Sequence, residues 1–528
     1  MSKSTGSYYT PQKLVAFMWK HALTNLQNQS PLRILEPSCG DGVFLQVLPE
    51  GKSFPNFSID AIEINQSALR RAKQSLTQTS RTTKISFVEN DFLKANLREG
   101  YDLVIGNPPY IGRKLLSTKQ KKLCTQIQAD AGLKKTIRNI WPAFVIKSSK
   151  LLGPKGVLAF VLPGEILQVA YAEEIRTYLE EHFSFIEILT FQDLVFPALG
   201  QDVVVVFAYK SSNFSGVSYA QVRDIDSLDF AIKFSPRKLN ALARKAKWSS
   251  FVLSDDELDF LFNIAQNIKN VSDYCSSTPG IVTGANDFFI VNRQTLKDYG
   301  LRPFSKPILQ KAALAGNTVS FGVSALVELQ EADEPCFFID LQDTAQTNLS
   351  SKAKAYLRMG RQKKIHSRYK CSNRRPWYNV PTVWIPHGVI FKRSHLYPRL
   401  LKNEAGVLFT DSAYRIIPNQ GLNVDSIIYS FYNSLTLIFC ELRGRFYGGG
   451  VLELTPSEFK GLPLPFMLIN QQEFNRFKVK FKSSGTIDSV LKQNDIVLLA
   501  SLRISQSDIR RLQDIRTRLL MRRLRNID

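Results

Sequence analysis

Four short apolar segments in the first fifth of the chain, each ending in a polar residue or directly followed by one, constrain the fold most strongly. They cover residues 33–36, 58–63, 85–89 and 103–106. Short apolar runs separated by glycine-containing turns and longer amphipathic stretches are typical of buried parallel strands. Their spacing fits successive βαβ units, so the sequence predicts an α/β domain with a doubly wound sheet.

The polar residues that follow these strands predict a binding edge. They are, in chain order, Glu36, Glu63, Asp91 and Asn107. Because the carboxyl ends of parallel strands meet at one edge, where open α/β sheets bind ligands, we expect the four to lie together. Taken one at a time they have simpler interpretations, since Glu36 could sit in a surface turn and Asp91 could cap a helix.

The residues around these acids suit a nucleotide. Small residues from Ser38 to Gly42 let a ligand approach the backbone closely. Glu63 stands where a carboxylate accepts both hydroxyls of a ribose in doubly wound folds. Asp91 is placed to accept from an adenine amine while Phe92 packs on the ring.

The tetrapeptide Asn107-Pro108-Pro109-Tyr110 indicates the chemistry. The exocyclic amine of adenine is a poor nucleophile, because its lone pair is delocalised into the ring. An Asn side-chain oxygen and a Pro main-chain carbonyl are acceptors that can hold both N–H bonds of such an amine. The prolines stiffen the loop, and Tyr110 offers a flat face for stacking. The tetrapeptide therefore favours methyl transfer to an amine nitrogen, although alone it is equally typical of a turn that closes a strand.

With its motifs in this order, the chain resembles the gamma-class, TaqI-type DNA adenine-N6 methyltransferases of type II restriction-modification systems over nearly its whole length. Residues 6–11 resemble the family's first cofactor motif, 36–42 its acidic cofactor loop, and 107–110 its catalytic motif. The resemblance implies an α/β fold, namely a Rossmann-like S-adenosylmethionine-dependent methyltransferase sheet of seven strands. Residues 156–162 would form the fifth strand, and 185–189 with 203–209 the final hairpin, followed by a mixed α+β target-recognition domain.

The resemblance also implies roles for individual residues. Those implied to be catalytic are Asn107, Pro108, Tyr110 and Phe196. Phe196 would stack on the flipped base opposite Tyr110. Those implied to contact the methionine part of S-adenosylmethionine, or to shape its pocket, are Thr10, Glu36, Pro37, Ser38, Cys39 and Gly40. Glu63 would hold the ribose. The adenine would lie among Asp91, Phe92, Pro109 and Phe144, the last in a helix that begins at Trp141.

The charge of the chain points to a polyanionic partner. The net charge is +23 and the pI about 9.6. Residues 351–400 contain thirteen Lys or Arg and no Asp or Glu, whereas residues 251–350 carry six basic and thirteen acidic residues. From residue 369 to residue 397, six aromatic residues are interleaved with these basic residues, a mixture suited to phosphate and base contacts. We expect half of these six to be core residues. The six are Tyr369, Trp377, Tyr378, Trp384, Phe391 and Tyr397.

Composition shifts divide the chain into three parts. We expect a catalytic methyltransferase domain over residues 1–210, a connecting region over 211–275, and a DNA target-recognition domain over 276–528. Residues 443–450 combine arginines with glycines, for which a plain loop is the simpler interpretation. Residues 502–525 predict a C-terminal helix with Leu502, Ile509, Leu512, Ile515 and Leu519 on one face.

The predicted partners are duplex DNA and a separately encoded restriction endonuclease, with no membrane and a monomeric state. The six cysteines and five histidines show no metal-ligand spacing. With no apolar stretch long enough to span a bilayer, we expect a cytoplasmic protein. Alternatives that stay open are cytosine-N4, ribosomal RNA adenine or protein glutamine methylation, and a non-catalytic DNA-binding module.

Overall fold

The computed structural model describes residues 10–24, 26, 31–49, 56–76, 83–196, 202–237, 247–342, 344, 348–381, 384–447 and 449–524. The chain divides into two compact units, Met1–Phe262 and Asn263–Asp528. In the described part of the chain, no helix has the length and apolar character needed to cross a membrane.

The first unit is built on one sheet, which has nine strands among its described residues. They are β1 (Leu32–Glu36), β2 (Phe57–Glu63), β3 (Lys84–Glu89), β4 (Tyr101–Gly106), β5 (Leu152–Pro163), β6 (Phe185–Phe191), β7 (Val203–Tyr209), β8 (Gly216–Val222) and β9 (Ser235–Arg237). Their order is β3-β2-β1-β4-β5-β7-β6-β8-β9. The strands from β3 to β5 are parallel, and β7 runs antiparallel to both β5 and β6. The Rossmann-like sheet and its final hairpin are therefore as predicted.

Two strands beyond the hairpin correct the predicted strand count and the expected boundary at residue 210. The polar stretch after Tyr209 is a turn, and β8 then pairs in parallel with β6 along its whole length. Antiparallel β9 follows it. Further along, Trp248 and Phe251 are buried in the same core, with the Phe251 ring 6.3 Å from that of Tyr219. Much of the expected connecting region is thus part of the first unit, and residues 238–246 lie outside the described residues.

The helices of the first unit connect successive strands. They are α1 (Gln12–Thr24), α2 (Val43–Gln46), α3 (Gln66–Ser75), α4 (Thr118–Ala129), α5 (Trp141–Leu151), α6 (Glu165–Gln168), α7 (Glu173–His182) and α8 (Asp255–Ala265), which runs across the division between the units. Side-chain caps define the starts of two of these helices. At α3, the Asn65 side chain accepts from the backbone N–H groups of Ser67 and Ala68. Ser117 and Gln120 form a capping box at α4.

The second unit contains three small sheets among its described residues. Its strands are β10 (Cys275–Pro279), β11 (Ile290–Val291), β12 (Ser305–Leu309), β13 (Ser320–Phe321), β14 (Phe337–Ile339), β15 (Gly388–Phe391), β16 (Arg393–Ser394), β17 (Leu400–Asn403), β18 (Leu408–Phe409), β19 (Ala413–Pro418), β20 (Arg445–Tyr447) and β21 (Val451–Glu453). The sheets have the orders β10-β19-β15-β17-β13, β11-β14-β12-β18 and β16-β21-β20. The mixed α+β character predicted for this part is therefore present.

Helices make up much of the rest of the second unit. They are α9 (Asn286–Phe289), α10 (Arg293–Tyr299), α11 (Val323–Glu331), α12 (Ser351–Gln362), α13 (Tyr369–Ser372), α14 (Val424–Phe431), α15 (Ser434–Arg443), α16 (Pro456–Lys460), α17 (Gln471–Ser483), α18 (Ile487–Leu498) and α19 (Gln506–Leu524). The predicted C-terminal helix is α19, and its apolar face from Ile509 to Leu519 is buried. Leu502 is an exception, since it lies in a preceding 3-10 turn and is 42% exposed.

Candidate functional site

The structure places the four predicted polar residues at one edge of the first sheet. Glu36 and Glu63 are the last residues of β1 and β2, which are neighbours. Asp91 and Asn107 follow β3 and β4, which flank that pair in the order β3-β2-β1-β4. The parallel direction of these strands puts all four residues at their carboxyl ends, where open α/β sheets bind ligands.

Glu36 is a buried carboxylate with an unsatisfied oxygen. Its side chain is 1% exposed, and no atom in the described part of the chain bonds to its buried Oε2. Burial, reinforced by the charge of Glu63, raises the pKa of Glu36 well above its ordinary value. A buried acceptor left unpaired costs about 1–3 kcal/mol, more when it is charged. This position therefore suits a ligand that brings a cation or an N–H donor.

The turn after β1 is shaped by its glycines. Gly42 has a φ of +84°, and a Cβ there would lie 2.9 Å from the Cβ of Ala72 in α3. Both the backbone conformation and the close approach to α3 therefore require glycine. Gly40, at φ +53°, has open space where a Cβ would stand. Cys39 is buried, and burial raises the pKa of its thiol far above the ordinary range.

Glu63 ties this turn to the end of β2. Its Oε2 accepts from the Gly40 backbone N–H at 2.9 Å and its Oε1 from that of Asn65 at 2.8 Å. The carboxylate keeps lone pairs for a further donor. The next residue, Ile64, is 62% exposed, so an aliphatic side chain lies open to solvent beside the acid. We did not predict Ile64 from sequence, although an apolar residue after a strand-end acid was a readable signal.

The loop after β3 carries Asp91 and Phe92 and is held by Lys147. The Phe92 ring packs 5.1 Å from the ring of Phe144 in α5. One helical turn later, Lys147 Nζ donates to three carbonyl oxygens of this loop at 2.6–3.1 Å: Phe92 O, Leu93 O and Ala95 O. Burial lowers the pKa of Lys147, partly offset by the charge of Asp91. Lys147 was also missed, because the contact is made across 52–55 residues of sequence.

The Asn107 side chain is fixed at both ends of its amide. Asn107 Nδ2 donates to Thr10 Oγ1 at 3.2 Å, and the Tyr110 hydroxyl, 2.7 Å from Asn107 Oδ1, is placed to donate to it. The same hydroxyl lies 2.9 Å from the Val161 carbonyl. Ser38 Oγ donates to the Asn107 carbonyl at 3.3 Å, which joins the loop after β4 to the turn after β1.

The two aromatic residues implied to stack on a base are mostly buried. Tyr110 is 7% exposed and Phe196 is 8% exposed. Tyr110 is held by its hydroxyl and offers much less free ring surface than the sequence led us to expect. Pro37 and Pro108 are buried, whereas Pro109 is half-buried. Residues 6–9 of the first cofactor motif, and Pro197 beside Phe196, lie outside the described residues.

The basic block of the second unit is more structural than predicted. Of the six aromatic residues from 369 to 397, four are buried, and only Tyr369 and Trp384 are exposed. Arg368 forms a two-pronged ion pair with Asp287 at 2.6 and 2.8 Å. The arginine-glycine segment is not a plain loop throughout, as we expected, because its residues 445–447 form β20, which pairs with β21. Its Gly448 lies outside the described residues.

No metal centre is found in the described part of the chain. There, no three or more His, Cys, Asp or Glu residues are grouped as metal ligands would be. The six cysteines are buried free thiols.

Comparison with known families gives two adjacent matches. Residues 21–196 match the Eco57I restriction-modification methylase family, and residues 245–499 match the C-terminal domain of the type II methyltransferase M.Eco57I. The first match covers the sheet edge described above. The second covers most of the second unit.

Curated relatives match over most of their own length. The type II methyltransferase M.AccI of Acinetobacter calcoaceticus is 24% identical over 94% of this chain and 93% of its own. M.XamI of Xanthomonas campestris pv. amaranthicola, also a type II methyltransferase, is 23% identical over 87% of this chain and 85% of its own. Together with the family matches, these relatives support a methyltransferase of the type II restriction-modification class.

Two solved structures share the fold. The chain in the DrdV–DNA complex superposes with a TM-score of 0.51 at 12% identity, covering 91% of this chain and 57% of that one. The nuclease-deletion mutant of the type ISP restriction-modification enzyme LlaGI gives a TM-score of 0.50 at 14% identity, covering 90% and 54%. This chain therefore spans little more than half the length of either neighbour.

Proposed function

We propose that this relative of the type II restriction-modification methyltransferases transfers a methyl group from S-adenosylmethionine to N6 of an adenine flipped out of duplex DNA. The observation that carries the proposal is the fixed amide of Asn107 at the end of β4. It is hydrogen-bonded to Thr10 and Tyr110, and Ser38 links its backbone to the turn after β1. An acceptor fixed in advance stabilises a reacting amine better than a mobile one.

In this proposal Asn107 Oδ1 and the Pro108 carbonyl accept the two N6 hydrogens of the adenine. Oδ1 has two lone pairs, so it can accept from Tyr110 and from the amine together. Holding both hydrogens out of the ring plane draws the nitrogen lone pair out of conjugation. Tyr110 and Phe196 would flank the base. Tyr110 would contact it through the part of its ring that faces the bound base.

The residues along the edge fit S-adenosylmethionine. Glu36 Oε2 is buried and unsatisfied among the described residues, which suits the positive charge of the methionine portion. Thr10, Pro37, Ser38, Cys39 and Gly40 would shape the pocket beside it. Glu63 would accept from the ribose hydroxyls. Asp91, Phe92, Pro109, Phe144 and the exposed Ile64 would hold the adenine of the cofactor. When bound, the cofactor supplies an electrophilic methyl group.

DNA as the substrate is supported by the net charge of the chain and by its structural neighbours. The net charge of +23 suits a polyanion. One structural neighbour was solved as a complex with DNA, and the other with a DNA substrate mimic. We further propose that methylation protects host DNA from a separately encoded endonuclease, and that the protein acts as a monomer. Gel filtration with DNA tests the last point.

The direct test uses purified protein and S-adenosylmethionine carrying a labelled methyl group. Duplex DNA, ribosomal RNA and protein extract are offered as separate acceptors. We expect label in duplex DNA alone, and at least about a hundredfold slower transfer by Asn107→Ala, because the lost acceptor acts on the transition state. Cofactor affinity, measured by calorimetry, should stay near that of the wild type.

Asn267→Ala is the matched control. Asn267 is exposed, and its side-chain amide donates to the Asn263 carbonyl at 3.3 Å. We expect this variant to transfer at the wild-type rate. Label in RNA or protein instead of DNA would refute the proposed substrate, and an unimpaired Asn107→Ala enzyme would remove Asn107 from the mechanism.

A further inference from the structure

The turn that follows the Asn107 loop presents an apolar side chain to solvent. Arg113–Leu115 form a single 3-10 turn. Leu115 is 64% exposed, whereas the next residue, Leu116, is 3% exposed. A lone exposed leucine is ordinary on a protein surface. Its surroundings therefore decide what it means.

The turn has a firm base. The backbone N–H of Arg113 donates to the Arg138 carbonyl at 2.9 Å, and that of Ile140 donates to the Ile111 carbonyl at 3.0 Å. Leu116 packs into the core of the first unit. These contacts hold both sides of the turn, so Leu115 projects from a fixed support.

Positive charge surrounds this leucine. Between Asp102 and Asp130 the sequence contains no Asp or Glu. The five cations in this stretch form no ion pair with a carboxylate among the described residues, and all but Lys121 are exposed: Arg113, Lys114, Lys119, Lys121 and Lys122. Three of them lie on α4, whose start is fixed by the Ser117 capping box. Uncompensated charge on an ordered surface suits a polyanion.

The turn is also close to the proposed reaction site. Leu115 is five residues from Tyr110, which limits their separation to about 17 Å even for a fully extended chain. A duplex rises about 3.4 Å per base step. A DNA molecule whose target base reaches Tyr110 would therefore pass the turn within about five steps.

We propose that Leu115 is an apolar wedge that enters the base stack of duplex DNA beside the flipped nucleotide, while Arg113 and Lys114 contact the flanking phosphates. This inference rests on the proposed function. Extruding a base leaves an unstacked gap that costs a few kcal/mol. Apolar side chains inserted between base steps stabilise openings of this kind. Cations on both sides would hold the leucine at the stack.

The test uses duplex oligonucleotides that contain a site methylated by the wild-type protein. In one series 2-aminopurine replaces the target adenine, so that its fluorescence reports flipping. In a second series the target adenine is mismatched, which makes flipping easier. We expect Leu115→Ala to reduce kcat/KM on the matched duplex at least about tenfold, to reduce the fluorescence increase, and to recover most of its activity on the mismatched duplex.

Leu468→Ala is the matched control, because Leu468 is 63% exposed and residues 461–475 contain no Lys or Arg. It should behave as the wild type, and both variants should melt like the wild type. Equal activity of Leu115→Ala and wild type on the matched duplex would overturn the wedge. A defect that the mismatch does not relieve would overturn it too, since it would mark a simple surface contact. Failure of the proposed function is distinct, because the wild type would then methylate no DNA.

Discussion

Replacing Glu36 with Gln is expected to change stability and cofactor binding in opposite directions. Glu36 is almost fully buried, and its Oε2 has no partner among the described residues. The cofactor-free protein therefore carries a carboxylate that its surroundings do not satisfy. Gln keeps the shape of the side chain and removes the charge, so the substitution isolates the effect of ionisation.

The direction of the stability change follows from the raised pKa of Glu36, which burial causes and the charge of Glu63 reinforces. The folded protein still holds this proton at pH values where the unfolded chain, with a carboxyl pKa of about 4.3, has lost it. As the pH rises from that value through the raised pKa, the free energy of unfolding falls by about 1.4 kcal/mol for each unit by which the folded pKa exceeds the unfolded one. Glu36→Gln does not ionise and escapes this loss.

At neutral pH we therefore expect Glu36→Gln to raise the Tm of the cofactor-free first unit by about 2–4 °C for each kcal/mol gained. The same change should weaken S-adenosylmethionine binding about 10- to 100-fold. A hydrogen bond to a charged group contributes about 1.5–3 kcal/mol, and the carboxylate would be lost as the partner of the bound cation. Thermal melting across pH 5–8 and calorimetric titration measure the two effects.

Glu441→Gln is the control, because Glu441 is also buried but is paired. Its oxygens accept from Arg523 Nε and NH2 at 2.8–3.0 Å. Removing one partner of a buried pair costs about 3–5 kcal/mol, so this variant should melt lower and bind cofactor normally. A Glu36→Gln protein that melts lower than the wild type at neutral pH, or that binds the cofactor equally well, would refute the reasoning.

Two other substitutions test the support of the site. Tyr110→Phe keeps the ring but removes the hydroxyl beside Asn107 Oδ1 and Val161 O. We expect kcat to fall about 5- to 30-fold with cofactor affinity unchanged, from a loss of about 1–2 kcal/mol; single-turnover transfer measures it, and a wild-type rate would contradict it. Lys147→Met leaves three loop carbonyls without their donor, so cofactor affinity should fall at least about tenfold, while Lys147→Arg retains part of it. Equal calorimetric affinity of wild type and Lys147→Met would exclude this role.

The core of the first sheet could be predicted because its signals are local. Each of the first four strands is a short apolar run, and each has a polar residue at or just after its end that can be read directly from the sequence. The parallel arrangement then fixes the common edge of Glu36, Glu63, Asp91 and Asn107. The final hairpin, β6 and β7, was implied by the resemblance of residues 185–189 and 203–209 to the last strands of the family's sheet.

What the sequence did not reveal depends on contacts between distant residues. Strand β8 pairs in parallel with β6, although β7 lies between them in the sequence. A polar turn after Tyr209 has the same appearance in the sequence whether it ends a domain or connects two strands. The three bonds of Lys147 likewise join α5 to a loop more than fifty residues earlier. The burial of Tyr110 depends on the Val161 carbonyl of β5. The sequence does not distinguish a tyrosine that faces solvent from one whose hydroxyl is held by hydrogen bonds.

The central claim is methylation of adenine N6 in DNA, and mass spectrometry of nucleosides tests it most directly. DNA is digested from a bacterial host that lacks its own adenine methylation, with the wild-type chain, with Asn107→Ala, or with neither. We predict N6-methyldeoxyadenosine only where the wild-type chain is expressed. N4-methyldeoxycytidine in its place, or no methylated base at all, would contradict the claim.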